Sequence, residues 1–262
     1  MRAGADPGAM DAIVARGMDA FKTGMDSMGF YLDSRGTSYV KSWFEFYYKW
    51  PGRRVVGFTE PEDIAVKLIA DSFSVQLIEG LSEVKSAVDL GSGNGWPGLA
   101  VKLCFPEARV ALMDARQGAC RFMAGLLMEA PLKGTSVLEV RAEEAARDPL
   151  LREGFGLVVS RAMAAPAVAL ELCAPFAQVG GKVVLWLGPE QEETVARAPS
   201  LPEIGLNLAG VLDYSLPSGT GRRLLAVYEK TSGVAEGFRG ATPTFPRNLY
   251  FDPLKRKVIS SK

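Results

Sequence analysis

Residues 88–98, with the sequence VDLGSGNGWPG, limit the possible folds of this chain more than any other segment. A short apolar run there ends with Asp89 and Leu90 and passes directly into a glycine-dense turn, after which a helical pattern begins. Glycines let the backbone approach a ligand closely, and the N-terminus of the following helix offers free N–H groups. The segment therefore predicts a strand, a ligand-binding turn and a helix at one edge of an open α/β sheet.

Short β-rich runs alternate with longer helical patterns from residue 81 onwards. This alternation is typical of a parallel sheet with helices on both faces. The predicted strands cover residues 85–90, 109–114, 136–140, 157–160, 182–187, 206–212 and 223–230. The predicted helices between them include residues 96–104, 117–129 and 166–176. We therefore predict a Rossmann-like α/β fold, with a seven-stranded, mostly parallel sheet whose last two strands are joined by a hairpin-like connection.

The composition of the chain divides it into further parts around this sheet. Residues 1–35 are rich in Gly, Ala, Met and Asp, and each glycine weakens a helix by about 1 kcal/mol, so a flexible leader is predicted. Residues 36–80 form a predicted helical cap, in which a second helix covers residues 62–78. The sheet domain then occupies residues 81–232, and residues 233–262 are a basic tail.

Aromatic residues recur at three- and four-residue spacing along the first cap helix. They are Tyr39, Trp43, Phe46, Tyr47 and Trp50. Such a stripe can stack on the bases of a single strand, but burial against another part of the protein is its more common use. We expect this stripe to dock the cap onto the sheet domain.

Charge and composition exclude several classes of function. Basic and acidic residues each number 30, so a nucleic-acid contact requires a local basic patch rather than a net field. The chain has no histidine, which excludes the usual hydrolase triads, histidine-bound zinc and imidazole acid–base catalysis. The three cysteines are too widely separated in sequence to suggest a local metal motif, and no metal is predicted.

The apolar runs of the chain bear on its location. None approaches the roughly 20 residues needed to cross a bilayer. The first thirty residues also lack the basic and apolar segments of a secretion signal. These patterns predict a cytoplasmic protein with no membrane partner.

Polar residues stand at the ends of successive predicted strands. Asp89 can hold the glycine turn or face a ligand, and Asp114 ends the next strand, where a carboxylate can accept hydrogen bonds from both hydroxyls of a ribose. Ala142 and Glu143 follow the third strand, where a backbone N–H and a side chain can meet an adenine edge. Arg161 follows the fourth strand and is suited to bidentate binding of a carboxylate or phosphate. Since these strand ends meet at one edge of the sheet, they predict one site.

Four motifs together resemble a known family. They are VDLGSGNGWPGLAVKLCFPEARVALMDARQGACRFM, RAEE, FGLVVSRAMA and GGKVVLW. In this combination the chain resembles the bacterial rRNA small-subunit methyltransferase G family, also called glucose-inhibited division protein B, over about residues 43–230. The resemblance implies a class I methyltransferase that uses S-adenosylmethionine to methylate guanine N7 in 16S rRNA, with the 30S subunit as its partner.

The resemblance also implies roles for individual residues. The implied cofactor-binding residues are Gly91, Gly93, Trp96, Asp114, Ala142, Glu143 and Arg161, and Asp89 is predicted with them from its place before the glycine turn. Among them Asp114 would bind the ribose, Glu143 would lie by the adenine, and Arg161 would complete the site as its catalytic residue.

The chain departs from the family pattern on the side that faces RNA. Trp50-Pro51 stands where the family usually has Trp-Asn, Leu68 stands where it usually has His, and Leu187-Gly188 replaces Lys-Gly. Two alternatives to rRNA methylation therefore stay open. One is a diverged enzyme that methylates a small molecule, a peptide or another RNA, and the other is a non-enzymatic cofactor-binding protein.

Overall fold

One mixed sheet forms the centre of the computed structural model, which describes residues 7–81, 83–217, 219 and 221–234. Within these residues the sheet has eight strands, in the order β3-β2-β1-β4-β5-β8-β7-β6. They are β1 (Ser86–Leu90), β2 (Arg109–Asp114), β3 (Thr135–Glu139), β4 (Phe155–Arg161), β5 (Ala177–Leu187), β6 (Ser200–Leu201), β7 (Leu206–Leu216) and β8 (Gly221–Lys230). The first five strands run parallel, and β8, β7 and β6 continue the sheet by antiparallel pairing.

Helices precede the sheet and connect its strands. The α-helices are α1 (Pro7–Met28), α2 (Ser34–Lys49), α3 (Pro61–Asp63), α4 (Gly98–Cys104), α5 (Gln117–Glu129), α6 (Ala142–Ala145), α7 (Pro166–Cys173) and α8 (Glu192–Ala196). The prediction of a Rossmann-like, mostly parallel sheet is confirmed. The predicted number of seven strands is wrong by one, because β6 has only two residues and is too short to show an alternating pattern.

Alternate residues of each strand pack against opposite faces of the sheet. In β2, Val110 and Leu112 join the core beneath α4, α5 and the N-terminal helices. Ala111 and Met113 join the second core, which contains α6 and α7. The two-residue period of a strand thus places apolar side chains on both faces, as expected for a sheet that is covered on both sides.

The prediction of a flexible leader over residues 1–35 is wrong for residues 7–28, which form a helix. Helix α1 begins at Pro7 and buries Val14, Phe21 and Met25, which recur at helical spacing along one face. The ring of Phe21 lies 5.8 Å from that of Phe73 in the cap. The cap therefore includes α1 as a structural part.

Glycines of α1 explain why its sequence suggested disorder. An added Cβ at Gly17 would lie 2.9 Å from the Phe44 ring of α2, and one at Gly24 would lie 3.3 Å from the Cβ of Ala70. Both glycines thus allow close helix packing, a benefit that a helix-propensity argument does not contain.

The aromatic stripe of α2 is a packing surface, which confirms the docking prediction. Trp43 is fully buried, and its ring stacks on Tyr47 at 5.2 Å between centroids. It also meets Phe122 of α5 edge-on at 6.1 Å and Trp96 at the same distance. These contacts join the cap to both the glycine turn and the sheet domain.

A single helix over residues 62–78 was predicted as the second helix of the cap. The structure shows an irregular helix there. After α3 the chain continues as a π-helical segment, Ile64–Ala70, and ends in a 3₁₀ segment, Phe73–Leu77. The Asp71 N–H donates to the carbonyl of Val66, five residues earlier. A turn of this segment therefore holds about one residue more than a turn of an α-helix.

Two predictions concern regions for which the structure gives limited information. Of the predicted basic tail, 233–262, only Gly233 and Val234 lie within the described residues. Among the helices in the described part of the chain, none combines the length and apolar character needed to cross a membrane.

The close contact at Gly17 leads to a stability prediction. Gly17→Ala should lower the free energy of unfolding by about 1–3 kcal/mol, because the new methyl group is forced against the buried Phe44 ring. Gly118→Ala in α5, where nothing lies within 4 Å of the added Cβ, should leave it unchanged or raise it by up to about 1 kcal/mol. Urea unfolding followed by circular dichroism measures both, and equal effects would contradict the packing role of Gly17.

Candidate functional site

The glycine turn between β1 and α4 is shaped by the carboxylate of Asp89. Its Oδ2 accepts hydrogen bonds from the Ser92 hydroxyl at 2.7 Å and from the Gly98 N–H at 2.8 Å. The turn is also pinned to β2, since the N–H groups of Gly91 and Ser92 both donate to the Met113 carbonyl. The first N–H of α4 is therefore used inside the protein, whereas the sequence predicted that it would face a ligand.

Asp89 is fully buried, and this changes its acidity. Burial raises the pKa of the Asp89 carboxyl to about 7, although the hydrogen bonds from Ser92 and Gly98 oppose the rise. Its Oδ1 is buried and has no hydrogen-bond partner among the described residues. Of the two predicted roles for Asp89, these contacts favour holding the turn.

Asp114, at the end of β2, lies beside this turn and is also buried. The Gly93 N–H donates to its Oδ2 at 2.9 Å, and the Arg116 N–H donates to its Oδ1 at 2.8 Å. The Arg116 guanidinium makes one further bond to each oxygen, from Nε at 3.2 Å and from NH2 at 3.1 Å. Burial raises the pKa of Asp114, but the bonds from Arg116 and Gly93 outweigh it, so the pKa is lowered and the group is a carboxylate.

A cleft of about 480 Å³ opens at the carboxyl ends of the parallel strands. This volume lies within the range of roughly 300–1,000 Å³ typical of small-molecule sites. Four predicted site residues line it, namely Gly91, Asp114, Ala142 and Glu143. The structure thus brings together residues from the ends of three neighbouring strands, as the sequence predicted.

The floor of the cleft depends on a glycine at position 91. Gly91 has a φ of +71°, and an added Cβ would lie 2.9 Å from the Cγ of Met163. Ala162 also has a positive φ, of +54°, which is rare for a residue other than glycine. Sequence reasoning missed Met163, and the SRAM sequence after β4 was the available signal for it.

Trp96 and Arg161 do not line the cleft. Trp96 is 3% exposed, and its indole packs against Trp43 and Phe73 of the cap. The Arg161 guanidinium donates to the carbonyls of Leu68, at 2.9 Å, and Trp96, at 3.3 Å. Both residues join the cap to the glycine turn, and the predicted cofactor-binding and catalytic roles of Arg161 stay predictions.

A buried polar network extends this junction. Arg161 forms an ion pair with Asp71 at 3.4 Å, and the Tyr214 hydroxyl donates to Asp71 at 2.6 Å. Burial raises the pKa of Asp71, against the opposing effect of Arg161. The indole of Trp186 donates to the hydroxyl of Ser74 at 2.9 Å. The network ties the irregular cap helix to β4, β5 and β7.

The contacts of Asp114 test whether a nucleoside fits the cleft. Its two oxygens each accept one backbone hydrogen bond and one bond from the guanidinium. The two guanidinium donors occupy the acceptor positions that the two hydroxyls of a ribose would use. A ribose is therefore compatible with Asp114 once the Arg116 side chain moves, and that side chain is 73% exposed.

Fold and site together define a class of enzyme. The parallel part of the sheet has the strand order β3-β2-β1-β4-β5 and continues into an antiparallel edge. A glycine turn follows β1, and a carboxylate stands at the end of β2. These features are typical of a class I methyltransferase with S-adenosylmethionine as cofactor. The model of the family described as GidB, rRNA small subunit methyltransferase G, matches residues 43–207. The chain belongs to this family.

Two relatives extend this match to most of the chain. Ribosomal RNA small subunit methyltransferase G of Dehalococcoides mccartyi (strain CBDB1) is 31% identical over 217 residues, which cover 82% of this chain and 92% of the relative. The enzyme of the same name from Symbiobacterium thermophilum is 32% identical over 228 residues, which cover 84% of this chain and 92% of the relative. The similarity thus includes both the cap and the sheet domain.

Solved structures of other methyltransferases are more distant. The ribosomal protein L11 methylase from Lactobacillus delbrueckii subsp. bulgaricus gives a TM-score of 0.47 at 14% identity, covering 67% of this chain and 81% of its own. The T. thermophilus 16S rRNA N2 G1207 methyltransferase, in complex with AdoMet and guanosine, gives a TM-score of 0.42 at 19% identity, covering 63% of this chain and 40% of its own.

Within the described residues, no group of three or more potential metal ligands occurs.

The raised pKa of Asp89 leads to a prediction on pH dependence. The native pKa of about 7 lies above the unfolded value of about 3.9, so the native state holds the proton more tightly. The resulting stabilisation is complete below about pH 4 and is lost as the pH rises through about 7. The difference in unfolding free energy, wild type minus Asp89→Asn, should therefore fall by on the order of 1–4 kcal/mol between pH 4 and pH 8.

Urea unfolding at several pH values measures this difference. Asp19→Asn, at an exposed carboxylate of α1, controls for the loss of one negative charge. A wild-type minus Asp89→Asn difference that stays constant with pH would show that the Asp89 carboxyl does not take up a proton in this range.

Proposed function

We propose that the chain transfers the methyl group of S-adenosylmethionine to N7 of a guanine in 16S rRNA, on the 30S subunit, in the cytoplasm. The rRNA target is supported by the names of the relatives, each a ribosomal RNA small subunit methyltransferase G. The observation that supports the cofactor site is the geometry of the Asp114 carboxylate. Two backbone N–H groups hold it, and its remaining acceptor positions face the Nε and NH2 donors of Arg116.

In this proposal the cleft residues bind the nucleoside part of the cofactor. Asp114 accepts hydrogen bonds from the ribose hydroxyls, and Ala142 and Glu143 lie beside the adenine. Gly91 lets the backbone approach the ligand, since a side chain there meets Met163. Asp89 acts through the turn, because its carboxylate holds Ser92 and Gly98.

The chemistry requires positioning more than proton transfer. S-adenosylmethionine supplies a methyl group that the positive charge of its sulfonium already activates. Guanine N7 has a free lone pair and no proton to lose, so an N7 acceptor requires no general base. This chemistry suits a chain without histidine. The protein then has to hold N7 in line with the methyl group.

Arg161 and Trp96 contribute to this positioning through the cap. Arg161 spans the carbonyls of Leu68 in the cap and Trp96 in the turn. Since it is bonded to both, a change in cap position is transmitted to the glycine turn, whose Gly91 lines the cleft. Arg161 is thus a positioning residue in this proposal.

Methyl transfer to 30S subunits tests the proposed substrate. Labelled S-adenosylmethionine, purified protein and 30S subunits from a strain that lacks the corresponding enzyme should give label in 16S rRNA. Chemical cleavage at N7-methylguanine should then locate it at a single position. Label in a small-molecule or peptide fraction, with none in 16S rRNA, would instead favour the diverged enzyme. Cofactor binding without methyl transfer to any component of a cell extract would favour the non-enzymatic protein.

The proposed ribose contact leads to a binding prediction. Asp114→Ala should weaken S-adenosylmethionine binding by about 1–3 kcal/mol, because the ribose hydroxyls lose their acceptors in a desolvated site. Asp114→Asn retains the shape and one acceptor and should show a smaller loss. Calorimetry gives both affinities, and Asp19→Ala is a control at an exposed carboxylate of α1. Unchanged affinity of a folded Asp114→Ala protein would exclude the ribose contact.

A further inference from the structure

The side chain of Arg116 occupies the position where the proposed function places the cofactor's ribose. Its Nε and NH2 bind the two oxygens of Asp114. Its NH2 also lies over the glycine turn, since an added Cβ at Gly93 would be only 3.3 Å from it. The guanidinium and the ribose diol therefore cannot hold Asp114 at the same time.

The Arg116 side chain is free to move away. It is 73% exposed, whereas the Asp114 side chain is 4% exposed, so the carboxylate is fixed and the arginine is the mobile partner. Because the guanidinium is mostly in solvent, water can hydrate it when it leaves Asp114, so its release carries no penalty of a buried, unpaired arginine. The backbone N–H of Arg116 keeps its own bond to Asp114, so the carboxylate stays oriented when the guanidinium leaves.

We propose that Arg116 is a phosphate ligand for the RNA substrate, made available when the cofactor's ribose displaces its guanidinium from Asp114. The inference rests on the proposed function and adds a coupling to it, in which the bound cofactor strengthens RNA binding. Without the cofactor, Arg116 neutralises Asp114; with the cofactor, the ribose takes the carboxylate and the cation is free.

The place where Arg116 is released suits a phosphate. Arg116 and Arg141 both line the cleft, from the ends of the adjacent strands β2 and β3, and Arg141 is exposed. Glu143 is the acidic residue on the same rim, and the proposed function assigns it to the adenine. A guanidinium can bind a phosphate through two parallel hydrogen bonds, so the pairing with Asp114 is exchanged for an equivalent one.

Reciprocity follows from this exchange. If the cofactor releases Arg116 for RNA, RNA that holds Arg116 leaves Asp114 open for the cofactor, and each ligand strengthens the other by the same factor. Removing the guanidinium should also remove a competitor, so Arg116→Ala should bind S-adenosylhomocysteine several-fold more tightly than the wild type.

The experiment measures binding of 30S subunits over a range of salt concentrations, with and without S-adenosylhomocysteine, which cannot react. For the wild type, the slope of log affinity against log salt should be steeper by about 0.7–0.9 when S-adenosylhomocysteine is present, which corresponds to one additional phosphate contact. Arg116→Ala should lose this increment. Arg116→Lys should retain it, because an ammonium also binds phosphate as a point charge.

The matched control is Arg121→Ala, at an exposed arginine of α5 with no hydrogen-bond partner in the described ranges. It should leave both the increment and the S-adenosylhomocysteine affinity unchanged. Equal slopes for the wild type with and without S-adenosylhomocysteine would overturn the inference alone. Weaker S-adenosylhomocysteine binding by Arg116→Ala would do the same, since the guanidinium would then be a cofactor contact. A wild type that binds no 30S subunits in either state would overturn the proposed substrate as well.

Discussion

The buried carboxylate of Asp89 holds the glycine turn in shape through its hydrogen bonds. The side of the turn that faces the cleft and the side that faces the cap both depend on these bonds. One oxygen gathers Ser92 and Gly98, which fixes the path of the chain from β1 into α4. That path sets the backbone of Gly93, whose N–H orients the carboxylate of Asp114. Because a buried polar group is unfavourable unless it is hydrogen-bonded, the turn and this side chain depend on each other.

The same turn presents one side to the cleft and the other to the cap. Gly91 faces the cleft, while the carbonyl of Asn94 accepts a hydrogen bond from the Trp43 indole at 3.0 Å. The Asn94 amide in turn donates to Val55 of the cap, at 3.2 Å. The cap and the cleft are therefore in contact with opposite sides of one short loop, and the cap is fixed directly to the glycine turn.

Much of this arrangement was predictable, and the exceptions share a physical cause. The exact bounds of β2 and α5, and the grouping of Asp114 with Glu143, follow from local periodicity and from the rule that parallel strands end at one edge. The directions of Trp96 and Arg161 depend on cap packing, which no local pattern contains. Helix α1 was missed for a related reason, because Gly17 favours packing only once Phe44 lies against it.

The π-helical segment Ile64–Ala70 makes the length of the cap as important as its composition. Each residue of a helix turns the chain by a fixed angle, about 100° in an α-helix and less in a π-helix. The loss of one residue, with the type of helix unchanged, would therefore rotate everything beyond it. Asp71 would then point away from Tyr214 and Arg161, and the carbonyl of Leu68 would leave the guanidinium. Natural variation in this segment should therefore keep small or apolar side chains at its buried positions and conserve residue number, since an insertion or deletion uncouples the cap from the edge of the sheet.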